Sequence, residues 1–205
     1  APPGPAHLLG TDHLGRDILS RLLYSLRISI LVAVIGTVVG ATVGTAIGML
    51  AAHFRGWVDE AVMLLVDFQA AVPFIIIALS VLAFFGSSFT LFLVIIGLQG
   101  WEGYARIARG LTFSALSESY ATAVRSLGAR HVRVYGLHIL PNMVSAITVQ
   151  MTLTFPATIL LETSLSFLGL GIQPPMTSLG SMLGYGRDYL LIQWWIAVIP
   201  GTVIF

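Results

Sequence analysis

Residues 117–142 read SESYATAVRSLGARHVRVYGLHILPN, the one long polar interruption in a chain that is otherwise mostly hydrocarbon. Arg125, Arg130, Arg133, His131 and His138 fall within it, and the segments on either side are long and apolar. Polar groups left in lipid are costly, so this stretch has to lie outside the membrane, where something else reads it. The chain around it is expected to be an all-α polytopic membrane protein. Spacing predicts a helix over residues 118–127, with Tyr120, Val124 and Leu127 on one stripe and Glu118, Thr122 and Arg125 displayed elsewhere. Gly128 then turns the backbone where a residue with a Cβ cannot, which predicts a glycine elbow and a second short helix. Pro141 follows as the opening of a new helix, where its missing N–H does no harm.

Composition fixes the class. Hydrophobic residues make up 57% and charged residues 9%, with mean hydropathy +0.92; a soluble domain carries about 25% charged residues. A net charge of +1 without any basic run gives no support to nucleic-acid binding. Absence of cysteine removes disulfides, thiolate nucleophiles and Cys-ligated metal. There is no lysine either, so the chain cannot form a phosphate loop ending in Gly-Lys-Ser/Thr. Any ATP and Mg chemistry therefore belongs to partner subunits, and no cofactor is expected on this chain.

Five apolar segments follow in order. Residues 28–52 are long enough to cross a hydrocarbon core ~30 Å thick, and Gly36, Gly40, Gly44 and Gly48 recur along them every four residues. That spacing lets another helix approach backbone to backbone, so the glycine face reads as a packing seam. Residues 61–85 form the second segment, with Asp67 roughly two turns inside and Pro73 near the middle. Asp67 is either part of a solute pathway or a bond to a neighbouring helix near the interface. Residues 89–104 form the third segment, and residues 143–165 the fourth, with a kink expected at Pro156. Glu162 lies ~28 Å along that helix, close to the far interface, which predicts helix capping or a gate contact rather than a buried charge. The last segment, residues 194–205, rises only ~18 Å and reads as truncated.

Residues 1–27 are polar enough to sit outside the bilayer. Pro2, Pro3 and Pro5 forbid an initial helix, and residues 17–27 predict an amphipathic surface helix with Ile18, Leu22, Leu23 and Leu26 on its apolar face. His7, Asp12 and His13 are read as decorating a turn, with a metal site the lesser alternative. If residues 117–142 are cytoplasmic, alternation of four spans puts residues 1–27 outside. The expectation is then a fragment lacking one preceding helix, with six spans in the full-length protein.

Several of these stretches resemble one family. Aligned on Gly128, Leu140 and Pro141, residues 117–142 resemble the cytoplasmic EAA loop of ABC importer permeases, whose acidic and two alanine positions fall on Thr122, Ala123 and Val124. Thr122 replaces the family's acid and Val124 its second alanine, while His138 stands at an isoleucine position and Glu118 lies one turn upstream. The run from Gly10 to Asp17, GTDHLGRD, resembles the dipeptide, oligopeptide and nickel branch more specifically. VDFQAAVP at residues 66–73 and LETSLSFLGLGIQPPMTSLGSML at residues 161–183 are similar to the same family, although Leu179 stands where a tryptophan is usual.

The resemblance implies a permease subunit in a bacterial inner membrane, forming the translocation pathway with a second permease as a heterodimer. Two ATPases would dock on residues 113–142, through Glu118, Tyr120, Ala121, Thr122, Ala123, Val124, Arg125, Leu127 and Gly128, and an extracytoplasmic binding protein would deliver solute. It also implies a permease domain over residues 28–205 and an extracytoplasmic loop over residues 169–193. By periodicity alone the 118–127 stripe fits a partner's groove or the inner leaflet equally. Resemblance in separate segments favours the groove.

Rival classes make different demands. An intramembrane serine protease needs a base inside the bilayer, yet His7, His13, His53, His131 and His138 all fall outside the expected spans. A paired-aspartate protease lacks its second acid, since Asp67 is the only aspartate within a span. A passive channel needs neither an ATPase nor a coupling stretch, and loss of transport on ATP depletion separates it from an importer.

Overall fold

The computed structural model describes residues 1–118 and 130–204, and every regular element in them is helical. Tyr120, Ala121, Thr122, Ala123, Val124, Arg125, Leu127 and Gly128 lie outside the described residues.

Helix α1 spans Ile18–Phe54 without a break, 37 residues or ~55 Å, well beyond a ~30 Å hydrocarbon core. Its start is set by Asp17, whose Oδ2 accepts from the Ser20 N–H and the Ser20 hydroxyl, both at 2.8 Å. From there to Phe54 no proline intervenes, so the surface helix expected over residues 17–27 is instead the first part of the long helix. Ile18 and Leu22 are buried and Leu26 is partly buried, but Leu23 is 60% exposed and off that face.

Two expected spans are broken. Helix α2 (Gly56–Ala71) and helix α3 (Phe74–Phe85) meet at Pro73 with a bend of 87°. Proline lacks the donor and its ring excludes the preceding residue from helical backbone, so residues 61–85 do not form one straight span. Helix α4 (Phe89–Gly97) is only nine residues long, and helix α5 (Trp101–Ser117) begins after Gly100, at φ +74°. That left-handed backbone suits glycine, and it divides the third expected span. Among the described residues, two helices are individually long and apolar enough to cross a membrane, or three if the bent pair counts as one.

Helix α6 spans His131–Phe167 and is the second long one. Pro141 does not open it, as the sequence predicts, but lies inside it, just after a π-helical turn at Tyr135–Ile139. The wider turn accommodates a residue that cannot donate to the i−4 carbonyl. Asn142 Nδ2 donates to the His138 carbonyl at 2.9 Å, supplying a side-chain donor beside that gap. Helix α7 (Leu179–Gly186) starts at a capping box in which Ser178 and Ser181 each accept from the other's backbone N–H. After a 3₁₀ turn comes helix α8 (Trp195–Ile204).

The helices fall into two compact units. One comprises Ala1–Gly36, Ile75–Gly97 and Phe155–Phe205, and its core joins Ile18 and Leu22 to Leu179, Met182 and Ile196. The other comprises Thr37–Phe74 and Leu98–Thr154, and its core joins Ala108 and Leu116 to Val134, Ile139 and Met143.

Candidate functional site

The polar stretch is held at both ends. Helix α5 stops at Ser117, and Glu118 is extended, its N–H donating to the Ala115 carbonyl at 3.3 Å. On the other side Arg130 is extended and its carbonyl accepts from Arg133 and Val134 N–H groups as α6 begins. Leu116, at the end of α5, packs with Val134, Ile139 and Met143 of α6, so an apolar cluster bolts together the two arms that carry residues 119–129. The end of α1 joins them. His53 Nδ1 lies 3.0 Å from the Tyr135 hydroxyl, and its ring meets that of His131 edge-on at 5.1 Å. His53, His131 and His138 thus lie on helices that outrun the expected spans, near their ends.

Within the same unit, charged pairs tie α2 to α5. Arg109 donates to both carboxylate oxygens of Asp59, and its guanidinium lies over the Phe113 ring at 5.0 Å. Arg106 Nη2 donates to Asp67 Oδ1 at 2.9 Å; both side chains are more than half exposed in this chain. Trp101 Nε1 donates to Gln69 Oε1 at 2.8 Å, and Gln69 Nε2 donates to Glu102 at 3.3 Å. Asp67 therefore makes an interhelical bond, and Asp59, which sequence reasoning passed over, makes the better one. Its bidentate geometry and partial burial predict that Arg109→Ala costs about 1–3 kcal/mol, against less than about 1 for Arg106→Ala. Thermal unfolding of the two variants in detergent measures the difference.

The glycine face makes close backbone contacts. A Cβ on Gly44 would overlap the Trp101 carbonyl, and one on Gly48 the Ala105 carbonyl. At Gly36 it would meet Ile96 and Thr158, and Gly40 is buried.

Glu162 departs from expectation. It is fully buried, 0% exposed, where the sequence predicts a cap or a gate contact rather than a buried charge. Ser166 Oγ donates to Oε1 at 2.7 Å, Ser29 Oγ donates to Oε2 at 3.0 Å, and Thr163 Oγ1 donates to Oε2 at 3.5 Å. Ser29 Oγ also accepts the Leu179 N–H at 3.2 Å, linking α1, α6 and the start of α7. Gly180 allows the approach, since a Cβ there would collide with Thr163 backbone. The Glu162–Ser166 pair was readable from i, i+4 spacing; Ser29, 133 residues away, was not.

The N-terminal segment is organised by Asp12, which is 4% exposed. Its Oδ1 accepts Leu14 and Arg16 N–H groups at 2.8 and 2.9 Å; its Oδ2 accepts Arg16 Nε at 2.7 Å and also Arg21 Nη1. Burial pushes the carboxyl pKa up, but the Arg16 and Leu14 N–H groups and the Arg16 guanidinium outweigh it, and the net position is below the ordinary 3.8. His7 instead pairs with Asp17 at 3.0 Å and His13 stacks on Tyr189 at 4.8 Å, so the three residues go to three different partners. A depressed folded-state pKa gives stability that is full above the unfolded value and lost as pH falls through the folded one. Because Trp195 Nε1 donates to the Thr11 carbonyl, its fluorescence should hold constant from pH 7 to about 5 and change below about 4.

Comparison with known proteins places this arrangement. A chain of the MetNI methionine ABC transporter, solved in inward-facing conformations, superposes with TM-score 0.71 over 91% of this chain and 89% of its own, at 16% identity, which shows the fold alone. The class is a membrane transport subunit and not an enzyme. Residues 44–205 match the family of binding-protein-dependent transport system inner membrane components, and the chain belongs to it. The glutathione transport system permease protein GsiD of Pectobacterium atrosepticum is 38% identical over 203 residues, 99% of this chain and 67% of the relative. The di/tripeptide permease protein DppC of Pseudomonas aeruginosa is 36% identical over 96% of this chain and 65% of its own length. For the dipeptide permease protein DppC of Bacillus subtilis the values are 36%, 99% and 64%. The chain spans about two thirds of the length of these relatives.

Proposed function

We propose that this chain is the membrane-spanning subunit of an ATP-driven importer for peptides or a related small solute, such as glutathione or a nickel chelate. It forms the pathway with a second, different permease in a bacterial inner membrane. Two ATPases dock on residues 113–142, and an extracytoplasmic binding protein delivers the solute. The observation that carries this reading is the 36–38% identity to peptide and glutathione permeases along nearly the whole chain. The apolar cluster of Leu116, Val134, Ile139 and Met143 supports the coupling role, because a rigid mount transmits a push from a docked ATPase. Five apolar segments in this chain remain the expected topology, with the α2–α3 and α4–α5 pairs as broken segments. In it Gly36, Gly40, Gly44 and Gly48 are packing positions, and Pro73 and Pro156 absorb bending.

Co-purification tests the coupling role. Full-length protein is expressed with its partner permease and ATPases and extracted in detergent, as wild type and as Val124→Asp. ATPases that accompany the wild type and are lost from the variant support the assignment. Absence of ATPases even from wild type sinks it and favours a channel.

A further inference from the structure

We propose that the extracytoplasmic face of this chain carries a site for the carboxylate of a small solute, built where residues 13–24 meet residues 174–185. The two segments enclose a cavity of about 500 Å³, within the range of small-molecule sites. Arg16, Arg21 and Tyr24 line one wall, and Pro174, Pro175 and Tyr185 line the other; no aspartate or glutamate lines it. Of the two carboxylates nearby, Asp12 is already saturated by two backbone N–H groups and one nitrogen from each arginine, and Asp17 is taken by Ser20 and His7. Each guanidinium has five N–H donors in a fork that matches a carboxylate, and those not given to Asp12 meet no other acceptor among the described residues. Asp12 thus holds both forks in place for an anion that is not part of this chain. The concave shape and the proline and tyrosine walls fit a peptide-sized molecule with one carboxylate, rather than an acidic side chain presented by a docking protein.

The inference rests on the importer reading and its outward orientation for residues 1–27. The test uses the full-length chain with its partner permease and ATPases in detergent, with saturation-transfer NMR and two probes, L-alanyl-L-alanine and L-alanyl-L-alaninamide. The dipeptide is expected to bind at least tenfold more tightly than the amide. Arg16→Gln should remove that preference, whereas Arg27→Gln, an equal charge loss outside the cavity, should leave it unchanged. Tyr24→Phe touches no ion pair and should weaken the dipeptide several-fold without disturbing the fold. No dipeptide binding, equal binding of both probes, or an unchanged preference in Arg16→Gln overturns the site. So does a variant that keeps dipeptide binding but loses the binding protein, since the carboxylate then belongs to that partner. Whether ATPases accompany the wild-type complex is scored separately, so a failed site and a failed importer are distinguishable.

Discussion

Gly48→Leu should abolish accumulation of the folded chain, and Gly44→Leu should come close to doing so. At both positions the atom in the way is a backbone carbonyl oxygen, of Ala105 and Trp101 respectively, not the end of a flexible side chain. A side chain at Gly48 can be accommodated only by prising α1 from α5, which gives up the contacts along that face. Overpacking that repacking can absorb costs about 1–3 kcal/mol, and a displaced helix costs more. Gly110→Ala is the control, because a Cβ there meets nothing within 4 Å and alanine is the better helix former by about 1 kcal/mol. Size-exclusion of fluorescently tagged full-length chains from detergent reads the result. Monodisperse Gly48→Leu protein with altered solute choice would reassign the face to the translocation pathway.

Glu162→Ala should cost about 3–5 kcal/mol of stability, through two effects that add. It opens a cavity in a fully buried place, and it strips the acceptor from the buried Ser29 and Ser166 hydroxyls. Because Ser29 also accepts the Leu179 N–H, the loss extends to the start of α7. Glu162→Gln retains one carbonyl oxygen and should lose markedly less. Thermal unfolding in detergent separates the variants. If Glu162→Ala unfolds like wild type while transport changes, the carboxylate acts in the pathway and not in holding these three segments together.

Legibility varied with the range of the interaction. Local signals carried well at the glycine repeat, at Pro73 and at the start of the polar interruption, which sit at close contacts, a helix break and a helix end. They misled where a local rule was applied to a boundary that packing decides. Polar character separated residues 17–27 from the first span, yet nothing in the backbone chemistry stops a helix there, and burial of Ile18 and Leu22 carries α1 through. Pro141 read as a helix start, since proline is at home there; a π turn instead lets it sit within α6.

The sequence by itself determined that this is a helical membrane protein, which family it resembles, and that it cannot form a phosphate loop ending in Gly-Lys-Ser/Thr. Those conclusions follow from composition and short motifs, which do not depend on what touches what. Only the tertiary structure decided that Asp67 and Asp59 bond α5, that Ser29 reaches Glu162, and that Arg16 and Arg21 line a cavity with Pro174 and Pro175. Each of those facts joins residues dozens to more than a hundred positions apart, and the cost or benefit of a buried charge depends on the partners that folding brings to it.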